Sequence, residues 1–259
     1  ISRGLSRLDN RLPYIACQGN HDLGYIAAEY RYSMMPNYIY PERNSAFAKT
    51  LVSTGTNYEG IHTMENSAYE FHDEAWGDLL IISFEFAPRD EALDWARQLI
   101  ESERFVNHKV IILTHSFLAT NGDRIVEEGY KLTPRNWAQA VWEKLIYPSK
   151  NIKMVLCGHT GNPPKIRKGE DVDFHMTTSY RVDKAADGHE VIQMMFNSQN
   201  GDGSWNGNGG DCWLRILEFK PDGKTIGVRT FSPLFALSRH TQHLAWRTAE
   251  YDQFFITIE

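Results

Sequence analysis

Three short apolar runs in this chain each give way to a polar cluster that carries an imidazole. Residues 12–17 (LPYIAC) lead into Gln18, Gly19, Asn20, His21 and Asp22. Residues 110–113 lead through Thr114 into His115, and residues 154–157 lead through Gly158 into His159. Each run is too short for a helix, does not alternate and is bounded by Gly, Thr or Asn. Each therefore predicts a strand buried on both faces, as strands are in parallel sheets. Residues 67–72 alternate instead, and DEAWGD then turns the chain into LLIISFEF, the pattern of a hairpin. PRDEALDWARQLIESE predicts a helix, with Pro88 near its start, acidic residues in the first turn and Ala92, Trp95, Ala96 and Leu99 along one face. TPRNWAQAVWEKLI predicts another, with Thr133 as N-cap and Pro134 at its first position. Strand, helix, strand, helix, strand is the order of a parallel α/β sheet.

Beyond Gly161 the pattern changes. DFHMTTSYRV, EVIQMMFNSQ, CWLRILEF, KTIGVRTF and DQFFITIE read as strands with no helix between them, and KPDGK as a turn. The expected organisation is one domain, with an α/β half over residues 1–160 and a mostly antiparallel completion over residues 161–259. Residues 22–60 are rich in Tyr, Met, Asn and Pro without clean period, apart from a short helical pattern near residues 26–32. Ile1, Leu5 and Leu8 mark one face of a helix already under way at the first residue, with neither an initiator methionine nor a cap, so the chain reads as a piece of a longer one.

Composition narrows the partners. A chain of 259 residues can bury a substantial core, and a formal net charge of -6 argues against general nucleic-acid binding, which needs clustered Lys and Arg. No apolar run approaches the roughly 20 residues that span a bilayer. The three cysteines form no framework; Cys17 and Cys157 fall in apolar runs, as small core residues do. The compartment stays open, a periplasmic or secreted setting being compatible with the missing start.

In open α/β sheets, ligands bind beyond the carboxyl ends of the strands. Asn20, His115 and His159 would present one amide oxygen and two imidazoles there, a nitrogen and oxygen set without thiolate that suits Mn, Fe or Zn better than Ca. Hydrogen-bonded core histidines are the bland alternative. GNHD, THS and GHT, in this order and each closing a strand, resemble the third, fourth and fifth motifs of the calcineurin-like metallophosphoesterases. ENSAYEF, DLLIISFEFAPRDEALDWA and GGDCWLRILEFKPDGKTIGVRTFSPLF extend the resemblance, to a bacterial branch, over nearly the whole chain.

The resemblance implies a sandwich of two mixed β-sheets flanked by helices, carrying a two-metal hydrolase of phosphomonoesters or phosphodiesters. Asn20, His115 and His159 would hold one ion, His21 would sit near the substrate phosphate and protonate or stabilise the leaving oxygen, Asp22 would orient His21, and Gly19 would allow a sharp turn. A metal-activated hydroxide would attack phosphorus in line.

Two departures stand against that. No Asp-x-His or Gly-Asp-x-x-Asp motif precedes Gln18, and Gly161 stands where a second histidine is expected, with Asn162 as a candidate substitute. Asp173 and His175 spell Asp-x-His, but GDGS at residues 201–204 lacks the matching aspartate. One of two metal sites is thus represented, and the chain is expected to hydrolyse phosphoesters poorly. A non-catalytic, ligand- or partner-binding descendant of the same fold is the alternative. A carbohydrate module, suggested by seven tryptophans, conflicts with the helices. Asp211, the His240 and His243 pair, the 165–168 basic cluster, Arg89, and Tyr25, Tyr30 and Tyr32 are weaker candidates that surface, core or structural roles explain. The expected partner is a small-molecule or other phosphoester, with a homodimer through unpaired sheet edges as a further expectation.

Overall fold

The computed structural model describes residues 2–161, 177–198 and 210–258. Its larger sheet holds β1 (Leu51–Thr56), β2 (His62–Asp73), β3 (Gly77–Ser83), β4 (Lys109–Leu113), β5 (Ile152–Cys157), β6 (Thr178–Lys184) and β7 (Glu190–Phe196). The strand order is β1-β2-β3-β4-β5-β7-β6. The four inner strands β3, β4, β5 and β7 run parallel, and antiparallel pairs close both sides. A second, antiparallel sheet holds β8 (Leu214–Phe219), β9 (Thr225–Phe231), β10 (Trp246–Arg247) and β11 (Phe254–Thr257), with β9 at its centre.

Alternation along the parallel strands assigns each side chain to one of two cores. Leu80, Ile82, Val110, Ile112 and Val155 face the helix Asp90–Glu101 and the helical segment that starts at Ala138. Ile111, Met154, Ile192 and Met194 face the second sheet, against Ile226, Val228 and Ile256. Helices, mixed sheet and antiparallel sheet thus form three layers, and burial on both faces explains why these strands read as unbroken apolar runs. Fully burying each such side chain contributes about 1.5–3 kcal/mol.

The predicted hairpin forms between β2 and β3. The Asp73 carboxylate accepts the N–H groups of Ala75 and Trp76, and Gly77 takes a φ of 72°, which only glycine adopts without strain. Its tip docks on the second sheet, where Trp76 Nε1 donates to the Lys220 carbonyl at 2.7 Å. Helix Asp90–Glu101 also forms as expected, burying Ala92, Leu93, Ala96 and Ile100, with Asp90 and Glu91 opposite the positive end of its dipole.

Three expectations are corrected. Residues 12–17 form no strand and join no sheet, because β3 and β4, which they approach, are already paired on both sides. Contacts hold them instead: Ser83 Oγ donates to the Ala16 carbonyl at 3.1 Å. The second helix begins at Ala138 rather than after Thr133. Residues 134–136 are engaged in tertiary contacts, the Pro134 carbonyl accepting from Arg31 and the Asn136 N–H donating to the Pro88 carbonyl. No helix forms over residues 26–32, since the Glu29 carboxylate collects the N–H groups of Tyr25, Ile26 and Ala27 into a turn. A side chain that satisfies those donors removes the need for helical partners.

Candidate active site

Neighbouring parallel strands deliver the two histidines. The β4–β5 ladder continues past both strand ends, with Thr114 N–H on the Leu156 carbonyl and Gly158 N–H on the His115 carbonyl, each at 3.0 Å. His115 and His159 therefore lie side by side, their ring centroids 4.7 Å apart. Phe86, fully buried, meets both rings edge-on. His159 holds a φ of 64°, so the chain turns there in the left-handed region.

Asn20 arrives from the other side, in a single helical turn over Asn20–Asp22. Side-chain clamps rather than sheet pairing fix the turn. Gln18 Nε2 donates to Glu65 Oε1 at 2.6 Å, and Gln18 Oε1 accepts the Phe86 N–H at 3.1 Å. Asn20 Oδ1 then lies 2.9 Å from His115 Nε2. Gly19 has a φ of −103°, open to any residue, so the expected sharp turn is not why glycine stands there. A Cβ at Gly19 would sit 3.0 Å from Cε1 of His115: the backbone passes directly over the imidazole.

The loop after His115 completes the cluster with residues that sequence reasoning passed over. Glu128 Oε1 lies 3.0 Å from His159 Nε2, and Ser116 Oγ donates to Glu128 Oε2 at 3.0 Å. The Tyr130 hydroxyl is 3.0 Å from Asn20 Nδ2 and 3.5 Å from His159 Nε2. The sole hint in the sequence was that this excursion leaves directly from a strand-tip histidine.

His21 is exposed, and its Nδ1 lies 2.7 Å from the Ile26 carbonyl. A carbonyl only accepts, so Nδ1 carries the proton of the neutral ring and Nε2 is left to exchange one. This corrects the expected anchor. Asp22 accepts the Gly19 N–H at 2.8 Å, closing its own turn, while the Ile26 carbonyl orients His21. A cavity of about 400 Å³ flanks this turn, lined by Cys17, His21 and Asp22 with Met34, Met35 and Ile39 among others.

The donors suit one ion. Burial, with the His159 and His21 rings nearby, pushes the His115 imidazole down to about 4, leaving it neutral and able to ligate at neutral pH. As placed, Asn20 Oδ1 and His115 Nε2 are hydrogen-bonded at 2.9 Å, near enough to turn toward one ion once Nε2 gives up its proton. Among the described residues, no group of three His, Cys, Asp or Glu is placed to hold a metal. The convergence at the strand tips is two imidazoles and an amide.

Comparison with known proteins decides the family. Residues 1–163 match the model of the calcineurin-like phosphoesterases, more than half of the chain. The chain belongs to the calcineurin-like phosphoesterase family. At the family level this means metal-dependent hydrolysis of phosphoesters, generally with two ions, and the α/β sandwich described above accords with that fold. Over 232 residues, 89% of this chain, it is 25% identical to the uncharacterized protein YvnB of Bacillus subtilis (strain 168). The chain spans about 15% of that relative's length.

Of the weaker candidates, Arg89 is structural: it is buried and pairs with Glu85 at 2.8 Å beneath the start of helix Asp90–Glu101. His240 and His243 are exposed. The three cysteines are free, with burial pushing the Cys157 thiol up to about 12. Asn162, residues 165–168, Asp173, His175 and residues 201–204 lie outside the described residues.

Proposed function

We propose that this chain carries one ion site of a phosphoester hydrolase, with Asn20, His115 and His159 as ligands and His21 as the group that meets the leaving oxygen. The observation behind this reading is the meeting of the three motif side chains at one sheet edge, with Asn20 Oδ1 2.9 Å from His115 Nε2. A divalent ion bound there would supply positive charge to phosphoryl oxygens and make water more acidic. His21, fixed through Nδ1, would give a departing alkoxide or aryloxide the Nε2 proton of its doubly protonated ring and be left as the neutral Nδ1–H form. Asp22 acts on His21 indirectly, by setting the turn that carries it. The substrate in this reading is a small phosphomonoester or phosphodiester.

A second reading has one observation in its favour. With no group of three His, Cys, Asp or Glu placed to hold a metal among the described residues, the chain would bind a phosphorylated ligand at this site without turning it over.

An assay separates the two readings. Aryl phosphate mono- and diesters are incubated with the chain in excess Mn²⁺, with and without chelator. Slow turnover is expected, lost on chelation and reduced roughly 10²- to 10⁴-fold in His21→Ala, the range of general acid catalysis. Metal-dependent binding of the ester without turnover would instead support the second reading. Turnover unchanged in His21→Ala would remove His21 from the mechanism.

A further inference from the structure

We propose that the cavity beside His21 receives the alcohol half of the ester, and that this half is a flat, uncharged aromatic ring system. The proposal rests on the reading of His21 given above and adds the substrate class on its leaving-group side.

Position supplies the first argument. Asn20 and His21 are successive residues of one helical turn, yet they face different surroundings. Asn20 turns to His115 at the strand tips, while His21 forms part of the wall of the cavity of about 400 Å³. An ester with its phosphoryl group at the strand tips and its departing oxygen at His21 therefore places the carbon beyond that oxygen in the cavity.

The walls supply the second. Beyond His21 and Asp22 they are mainly apolar, with Leu5, Ala16, Met34, Met35, Tyr38 and Ile39. The Cys17 thiol, pushed up to about 12 by burial, stays protonated and adds no charge. At the polar end stands the Asp22 carboxylate, which accepts the Gly19 N–H at 2.8 Å. A second negative group is repelled there, so the anionic half of the ester is turned away and an uncharged half is admitted.

Size and surface chemistry favour a ring system over a chain. Benzene fills an apolar cavity of about 150 Å³, so one of about 400 Å³ has room for two fused rings. Met34 is exposed yet held in place, its Sδ accepting from the Tyr32 hydroxyl at 3.3 Å and from Asn37 Nδ2 at 3.6 Å. Thioether sulfur makes favourable contacts with ring edges, and the exposed Tyr38 offers a ring to stack on. The opposing account is a void left by loose packing of residues 22–40, with nothing to bind. The two accounts differ in whether a ring enters.

Titration with naphthol, an uncharged fluorescent alcohol of two fused rings, tests the cavity in chelator, without ion or turnover. Fluorescence anisotropy is compared for wild type, Met34→Asp, Tyr38→Ser, His115→Ala and the exposed control Leu237→Ser. Wild type, His115→Ala and Leu237→Ser are expected to bind the ring equally well. Met34→Asp should bind it at least about tenfold more weakly, because the ring would strip water from a charge. Tyr38→Ser should weaken binding in the same direction, and it serves as the readout if thermal melting shows Met34→Asp unfolded. With naphthyl phosphate in excess Mn²⁺, both variants should raise KM more than they lower kcat, as loss of uniform binding does. No binding by wild type, undiminished binding by both wall variants, or displacement of the ring by n-octanol as readily as by a second aryl alcohol overturns the proposal. Turnover that depends on His21 without ring binding sinks the cavity alone. Ring binding that the wall variants lose, with no ester turned over, sinks the hydrolase reading and the leaving-group assignment with it.

Discussion

Gly19 and Glu65 show how tightly single positions around the cluster are constrained. Because a Cβ on Gly19 would come within 3.0 Å of the His115 ring, Gly19→Ala must move either the loop or the imidazole. The expected cost is about 1–3 kcal/mol, as for other overpacked sites, with weaker Co²⁺ uptake. Urea unfolding measures the first, with Gly4→Ala, where an added Cβ meets nothing within 4 Å, as the neutral control. Glu65, buried beneath Gln18, has its carboxyl raised above the usual range, mainly by burial, against hydrogen bonds from Thr63 and Gln18 that favour the ionised form. A raised carboxyl means that the folded chain holds this proton more tightly than the unfolded one. Its contribution is fully present below the ordinary value near 4.5 and is lost as pH rises through the raised one. Glu65→Gln keeps an oxygen for Gln18 and avoids burying charge. The variant should therefore gain stability relative to wild type at pH 7, the gain shrinking toward pH 4. Thermal melts across that range would refute this if the difference between the two proteins stayed constant.

Among the elements, β4 and β5 and their histidines were legible because a both-faces-buried strand leaves a plain trace: an apolar run that stops on a polar residue. Asn20 was legible through the motif that it heads, although the strand expected before it does not form. Residues 12–17 have strand-like composition, but pairing depends on a free neighbouring edge, which no local pattern encodes. The start of the second helix was misplaced for a related reason. Thr133 and Pro134 are good starting residues, yet Asn136 is spent on tertiary contacts, its Nδ2 donating to the Pro88 carbonyl and Asp90 Oδ1 at 2.9 Å each while Lys144 donates to its Oδ1 at 2.7 Å. Asn136→Ala should cost about 1–3 kcal/mol by leaving those groups short of partners, with a lower denaturant midpoint and an unchanged slope. Glu128 and Tyr130 were illegible. A loop without period gives no clue to which of its polar residues points inward.

For the molecule as a whole, the edges of the larger sheet bear on self-association. A homodimer by edge pairing would use β1 or β6. The β6 edge carries Arg181, Asp183 and Lys184, and the β1–β2 register is interrupted twice, features that oppose strand addition. A concentration-independent monomer is expected in sedimentation velocity; a dimer that grows with concentration would mean that an edge is usable after all. Metal should also act globally. An ion that binds only the folded chain raises stability by about 2.7 kcal/mol at 100 times its dissociation constant, and chelator should reverse the rise in Tm. His115→Ala should show no such rise.

The left-handed backbone at His159 sets two kinds of selection against each other. An L side chain at a φ of 64° carries about 1–2 kcal/mol of strain that glycine escapes and asparagine partly relieves. A lineage selected only for abundant, well-folded protein would drift toward those residues at this codon, while one selected for holding the ion would keep histidine in spite of the strain. Saturation mutagenesis at position 159, sorted once for expression and once for metal retention, should rank the substitutions in different orders.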